Sequence, residues 1–147
     1  VRACAGWPGT LEAGRRVSGR ASVVDYMPTL ARLIGYTFKG SRARPLDGED
    51  LMPLMRGKGV RRGSDLFFGN RRLNDGVDDK ALISGDWKLI HHAGEENQVH
   101  LFDLAADPFE ERDLSQEAPE KLQALMERME ALEESCRLSR DGADYSY

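Results

Sequence analysis

The sequence predicts an α+β fold: a small antiparallel sheet of about four strands, covered by a C-terminal helix and preceded by a strand, a helix and a loop. Two observations carry this expectation. Between residues 64 and 104, short apolar runs are separated by turn signals, as in strands. From Pro119 onward, Leu122, Leu125, Met126, Met129 and Leu132 repeat at helical spacing, while Glu, Lys, Gln and Arg fill the other face.

In chain order, Val1–Trp7 is mostly apolar or small and stops at Pro8-Gly9, so it reads as a short buried strand entering a turn. Residues 12–19 read as a polar loop. Asp25 follows as a helix N-cap whose carboxylate can accept from the free amides of the first turn. Pro28 falls in that turn, where its missing N–H costs little. Met27, Leu30, Ala31 and Ile34 share one helical face, and Gly35 can end the helix in a left-handed conformation. Residues 36–63 are loop-like, with a turn at Asp47-Gly48 and one short helical turn of apolar contact from Leu51, Leu54 and Met55.

Leu66-Phe67-Phe68 then opens the strand region. Lys80–Ser84 and Trp87–His92 flank Gly85-Asp86 as a hairpin, and Val99–Leu104 follows a polar turn at Gly94–Asn97. Three or four such strands cannot hide an apolar face alone, so the helix that starts at Pro119 supplies the covering layer. After Cys136 the chain turns polar and is expected to fray.

Composition bounds the function. Across 147 residues, 40% are hydrophobic and 31% charged, which suits a globular core. No apolar run reaches the ~18–20 residues of a membrane span. The net charge of -4 supplies no basic field for nucleic acid. Cys4 and Cys136 can be free or bridged, since spacing does not decide. The chain opens on Val1 with no charged and apolar leader pattern, so a truncated or processed chain is expected.

Several phrases line up in order: Trp7-Pro8-Gly9, Asp25-Tyr-Met-Pro-Thr-Leu30, Leu46-Asp-Gly-Glu-Asp-Leu51, Gly85-Asp-Trp-Lys-Leu-Ile90, Leu101-Phe-Asp-Leu104 and Asp107-Pro-Phe-Glu-Glu-Arg-Asp-Leu114. Together they resemble the C-terminal third of the type I sulfatases of the alkaline-phosphatase-like superfamily, over about residues 1–130. Phe102 stands where tyrosine is common there, Asp113 where asparagine is common, and Ala3-Cys4 where the family often has valine-proline. The resemblance implies that residues 1–60 end the large α/β domain, that 64–137 form the C-terminal subdomain, and that 138–147 are a polar tail. It also implies a missing N-terminal sulfatase domain as partner, with apolar surface left open to self-association.

The resemblance further implies, for the full-length protein, a formylglycine nucleophile made in a Cys/Ser-x-Pro-x-Arg motif and a calcium-like divalent cation. Neither is expected in this chain. Cys4-Ala-Gly-Trp-Pro8 lacks the proline and arginine at the required places. Cys136-Arg-Leu-Ser-Arg140 departs at Leu138, and it ends a helix where the family's motif opens one. Asn74-Asp-Gly-Val-Asp-Asp79 lacks the spacing of an EF-hand loop and reads as a solvated turn. His91-His92 points two imidazoles to opposite faces of a strand, and nothing completes a zinc set with His100. No catalytic or metal residue is therefore expected.

The expected contribution to function is a substrate-binding rim at Asn70, Arg71 and Arg72, just after the Leu66–Phe68 run. There, guanidiniums could meet an anionic sugar or aryl substrate through forked hydrogen bonds. The plain alternative for these residues is a solvated basic loop. For the whole chain, the alternative to a sulfatase fragment is an accessory or interaction domain that reuses the fold without catalysis.

Overall fold

The computed structural model describes residues 3–38, 46–59, 61–71, 78–92 and 98–143. They fall into two compact units, Val1–Ser64 and Asp65–Tyr147.

In the first unit the expected N-terminal strand does not form. Residues 3–7 are exposed and belong to no strand. A strand needs a neighbour for its N–H and C=O groups, and among the described residues of this unit no sheet provides one. The turn that follows does form: Thr10 and Leu11 both donate backbone N–H to the Trp7 carbonyl, at 3.0 and 2.9 Å, and Gly9 takes a φ of 78°. A 3-10 turn over Val23–Asp25 leads directly into α1, Tyr26–Leu33.

Gly35 ends α1 as expected, at φ 71°. Tyr36 N–H bonds the Ala31 carbonyl at 2.8 Å and Gly35 N–H the Arg32 carbonyl at 3.2 Å, the paired bonds of a Schellman motif. A second short helix, α2, spans Met52–Met55 and closes the same way, with Gly57 at φ 74°.

The apolar face assigned to α1 is only partly used. Ala31 is buried, but Met27 and Leu30 are each 60% exposed and Ile34 is 79% exposed. Val23 and Tyr26 stand open beside them in sequence. The periodicity was that of a buried helix; within this unit nothing covers it.

The second unit matches the expected α+β architecture. Four strands, β1 Leu66–Arg71, β2 Asp78–Ser84, β3 Trp87–His92 and β4 Gln98–Asp103, form an antiparallel sheet in the order β1-β2-β3-β4. Gly85 takes φ 57° between Ser84 and Trp87, as the first central residue of a type II′ hairpin turn must. The expected turn at Gly94–Asn97 lies outside the described residues.

One face of the sheet meets α3, Pro119–Arg140. Leu82, Leu89 and Leu101, neighbours across three strands, are fully buried against Leu125 and Met129, with Leu122, Met126 and Leu132 packed at the margin. Each such leucine contributes about 1.5–3 kcal/mol of burial. Helix α3 continues to Arg140, four residues beyond Cys136, instead of fraying there. Arg137 holds it by pairing with Glu134 and with Asp141. Arg137 and Arg140 also place positive charge at the helix's negative end.

Candidate functional site

Two polar constellations stand out, one in each unit. The first is built from the Asp25-Tyr-Met-Pro-Thr and Leu46-Asp-Gly-Glu-Asp-Leu phrases. The Asp25 side chain is fully buried and Arg62 is 8% exposed, and Nη1 of Arg62 lies 2.7 Å from both carboxylate oxygens. Asp25 also accepts from the backbone N–H of Glu49 at 2.9 Å and of Ser22 at 2.6 Å. The expected cap is thus corrected. The carboxylate makes no bond to the first turn of α1; it is spent on the 47–51 loop, on Arg62 and on the residue that opens the 3-10 turn.

Thr29 continues the clasp. Its hydroxyl donates to the Asp25 carbonyl at 2.6 Å and accepts from Leu51 N–H at 2.9 Å. Glu49 receives Gly63 N–H at 3.0 Å and Ser64 N–H at 2.5 Å, while Arg62 donates to the Asp47 carbonyl at 3.2 Å. Gly48 is required by closeness: a Cβ there would strike the Val24 carbonyl and sit 2.8 Å from Asp25 Cα. Burial pushes the Asp25 carboxyl up, and the bonds from Arg62, Glu49 and Ser22 outweigh it, holding the group below the usual carboxylate range. Every acceptor site on Asp25 is occupied from within, so the constellation is a clasp and offers no open valence for substrate.

An open hollow of about 320 Å³ beside it is lined by Arg32, Asp50, Arg56 and Lys58, among others. Arg32 is 3.1 Å from Asp50, and Arg56 and Lys58 follow the C-terminal end of α2, where cations are favoured by the helix dipole.

In the second unit, Asn70 and Arg71 are the last residues of β1 and not part of a following loop. Their backbones pair with Asp79 and Asp78. Arg72 lies outside the described residues. Asn70, Asp79, His92 and Gln98 occupy one transverse row of the sheet. The row marks the end from which the chain leaves β1 for β2 and β3 for β4, opposite the Gly85-Asp86 turn.

His92 and His100 lie diagonally across β3 and β4, with ring centres 5.8 Å apart. Nδ1 of His92 lies 3.2 Å from Asp79, and Nδ1 of His100 lies 2.8 Å from Asp113. His91 alternates to the other side, as strand geometry requires.

Asp113 also closes an edge of the sheet. Its carboxylate accepts Leu101 N–H at 3.0 Å and Ser115 N–H at 2.9 Å, and Leu114 N–H returns to the Leu101 carbonyl at 2.7 Å. Burial raises its pKa, and the Leu101, Ser115 and His100 bonds more than reverse this, to about 2. Lys88, which alternates with the buried Leu89 along β3, meets Glu110 at 2.7 and 2.5 Å. That partner was hidden from sequence because Glu110 sits at φ 60°, a conformation no motif announced.

No protein-family profile matches the chain. Individual relatives do. Mouse steryl-sulfatase is 29% identical over 152 residues, covering 85% of this chain and 24% of the relative. Bovine arylsulfatase A is 33% identical over 147 residues, covering 84% of this chain and 28% of the relative. Among solved structures, Ps i-CgsB in complex with k-i-k-neocarrahexaose superposes with a TM-score of 0.71 at 26% identity, over 86% of this chain and 27% of that one. This chain is the C-terminal portion of a sulfatase. It spans about a quarter of the length of the curated relatives it matches.

Sulfatase kinship implies calcium and formylglycine in the full-length enzyme, and the residues here do not fit either. Cys136 lies inside α3, and the neighbouring Arg137 is committed to Glu134 and Asp141. Cys4 is exposed in a segment without secondary structure. Among the described residues, no group of three or more His, Cys, Asp or Glu side chains is placed to hold a metal ion.

Proposed function

We propose that this chain is the non-catalytic part of a sulfuric ester hydrolase, completing its fold and forming part of the substrate-pocket rim. The observation that carries the reading is the relation to sulfatases over most of this chain and only about a quarter of theirs, in a sequence with no nucleophile motif. On this reading residues 1–60 end the large α/β domain and 64–137 form the C-terminal subdomain. The uncovered face of Tyr26, Met27, Leu30 and Ile34 then packs on the N-terminal part of the enzyme.

Asn70, Arg71 and Arg72 are the proposed rim; of these, Asn70 and Arg71 end β1, at the same end of the sheet as His92. In the full-length enzyme, Arg71→Ala with Arg72→Ala should raise KM for an anionic aryl or sugar sulfate and leave kcat nearly unchanged, since rim contacts hold substrate and transition state alike. Unchanged KM would remove the rim role. The sequence upstream in the same reading frame tests the broader reading: a Cys/Ser-x-Pro-x-Arg segment is expected. Its absence would favour the accessory domain instead.

A further inference from the structure

We propose that His92 and His100 form a surface site for a borderline divalent transition cation of the zinc class, separate from the hard-oxygen calcium chemistry of the intact enzyme. The proposal does not depend on the sulfatase reading. Three observations converge on it. The two rings meet edge to face diagonally across β3 and β4, with centres 5.8 Å apart. Two imidazoles bound to one ion at zinc–nitrogen lengths of about 2.0–2.1 Å have centres about 5–6 Å apart, a range that includes the observed spacing. Both rings reach solvent, at 49% and 34% side-chain exposure.

The third observation is the carboxylate behind each ring. A carboxylate only accepts, so Asp113 places the proton of neutral His100 on Nδ1 and leaves the Nε2 lone pair for a metal. Asp79 does the same for His92. Histidine ligands commonly carry this backing, which fixes the tautomer and raises basicity. Two protein ligands leave the remaining positions to water, and this is why spacing rules for complete zinc sets pass the pair over.

The experiment is calorimetric titration of the chain with zinc chloride near neutral pH, on a Cys4→Ser, Cys136→Ser background so that thiolates cannot contribute. One saturable site per chain is expected. His92→Ala and His100→Ala should each weaken it at least about tenfold, and Asp113→Asn by about 10- to 100-fold. The Asp113→Asn change discriminates sharply. Its amide oxygen can still accept from Leu101 and Ser115, but its NH₂ would force His100 into the opposite tautomer, with Nε2 protonated. Both histidines are surface residues, so retained circular dichroism and melting temperature identify the loss as local. Absence of saturable binding, or binding unaltered by both histidine changes, would overturn the proposal.

Discussion

Asp25 and Asp113 do different work from what their neighbours in sequence suggest. Asp25 looks like a helix cap, since an aspartate before Tyr-Met-Pro-Thr offers its carboxylate to nearby amides. Beyond the nearby Ser22 N–H, its partners lie 24 and 37 residues away, at Glu49 and Arg62. Local propensity cannot register such partners. Removing one side of a buried pair leaves the other uncompensated, so Asp25→Ala should cost about 3–5 kcal/mol of stability, read as a shift in the denaturant midpoint of the first unit. A change under 1 kcal/mol would mean that the clasp is not the unit's main tie. Asp113 gives a pH signature. Its folded pKa of about 2 lies below the ordinary 3.8, so the unfolded chain takes up the proton first. Its contribution is complete above about pH 4 and is lost as pH falls from there toward 2. Asp113→Asn should flatten that part of the stability–pH curve; an unchanged slope would assign acid sensitivity elsewhere.

At the level of elements, legibility depended on where partners lie. The α3 stripe and the strands were readable because each carries its own apolar pattern and turn signal, Gly85-Asp86 above all. The N-terminal strand was not, because apolar composition is a condition for a strand while pairing is another, and the described residues of the first unit hold no sheet. The face of α1 was legible as apolar, and Met27, Leu30 and Ile34 on it are exposed. These two kinds of surface should respond differently to truncation. Leu89→Ala, fully buried under α3, should destabilise the second unit by about 2–5 kcal/mol. Leu30→Ala, 60% exposed, should change stability by no more than about 0.5 kcal/mol in this chain. Equal effects would mean that α1 is covered in solution.

Across the whole molecule, residue types for a candidate site were legible in the sequence, but their placement was not. Motif reading excluded both cysteines, and the structure places Cys136 within α3 beside an arginine engaged in ion pairs. The rim was named from its residue types and its place after an apolar run, but the strand proved longer than that run and took in Asn70 and Arg71. His91-His92 and His100 were weighed and set aside because no further ligand completes a zinc set; which of the two strand histidines approaches His100 depends on the diagonal register between β3 and β4. An exposed apolar helix face has a further consequence, since such patches drive association. The purified chain should self-associate with rising concentration, and Leu30→Glu should reduce this in sedimentation velocity. A monomer at all concentrations would show that the face is not sticky enough to matter.

On the proposed reading, sulfatase chemistry resides outside this chain. The most direct test is hydrolysis of a chromogenic aryl sulfate in the presence of calcium, by the purified chain and by the full-length protein side by side. Turnover by the full-length protein and none by the chain is the predicted result. Reproducible turnover by the chain, abolished by Cys136→Ala, would contradict the account and place the nucleophile in α3.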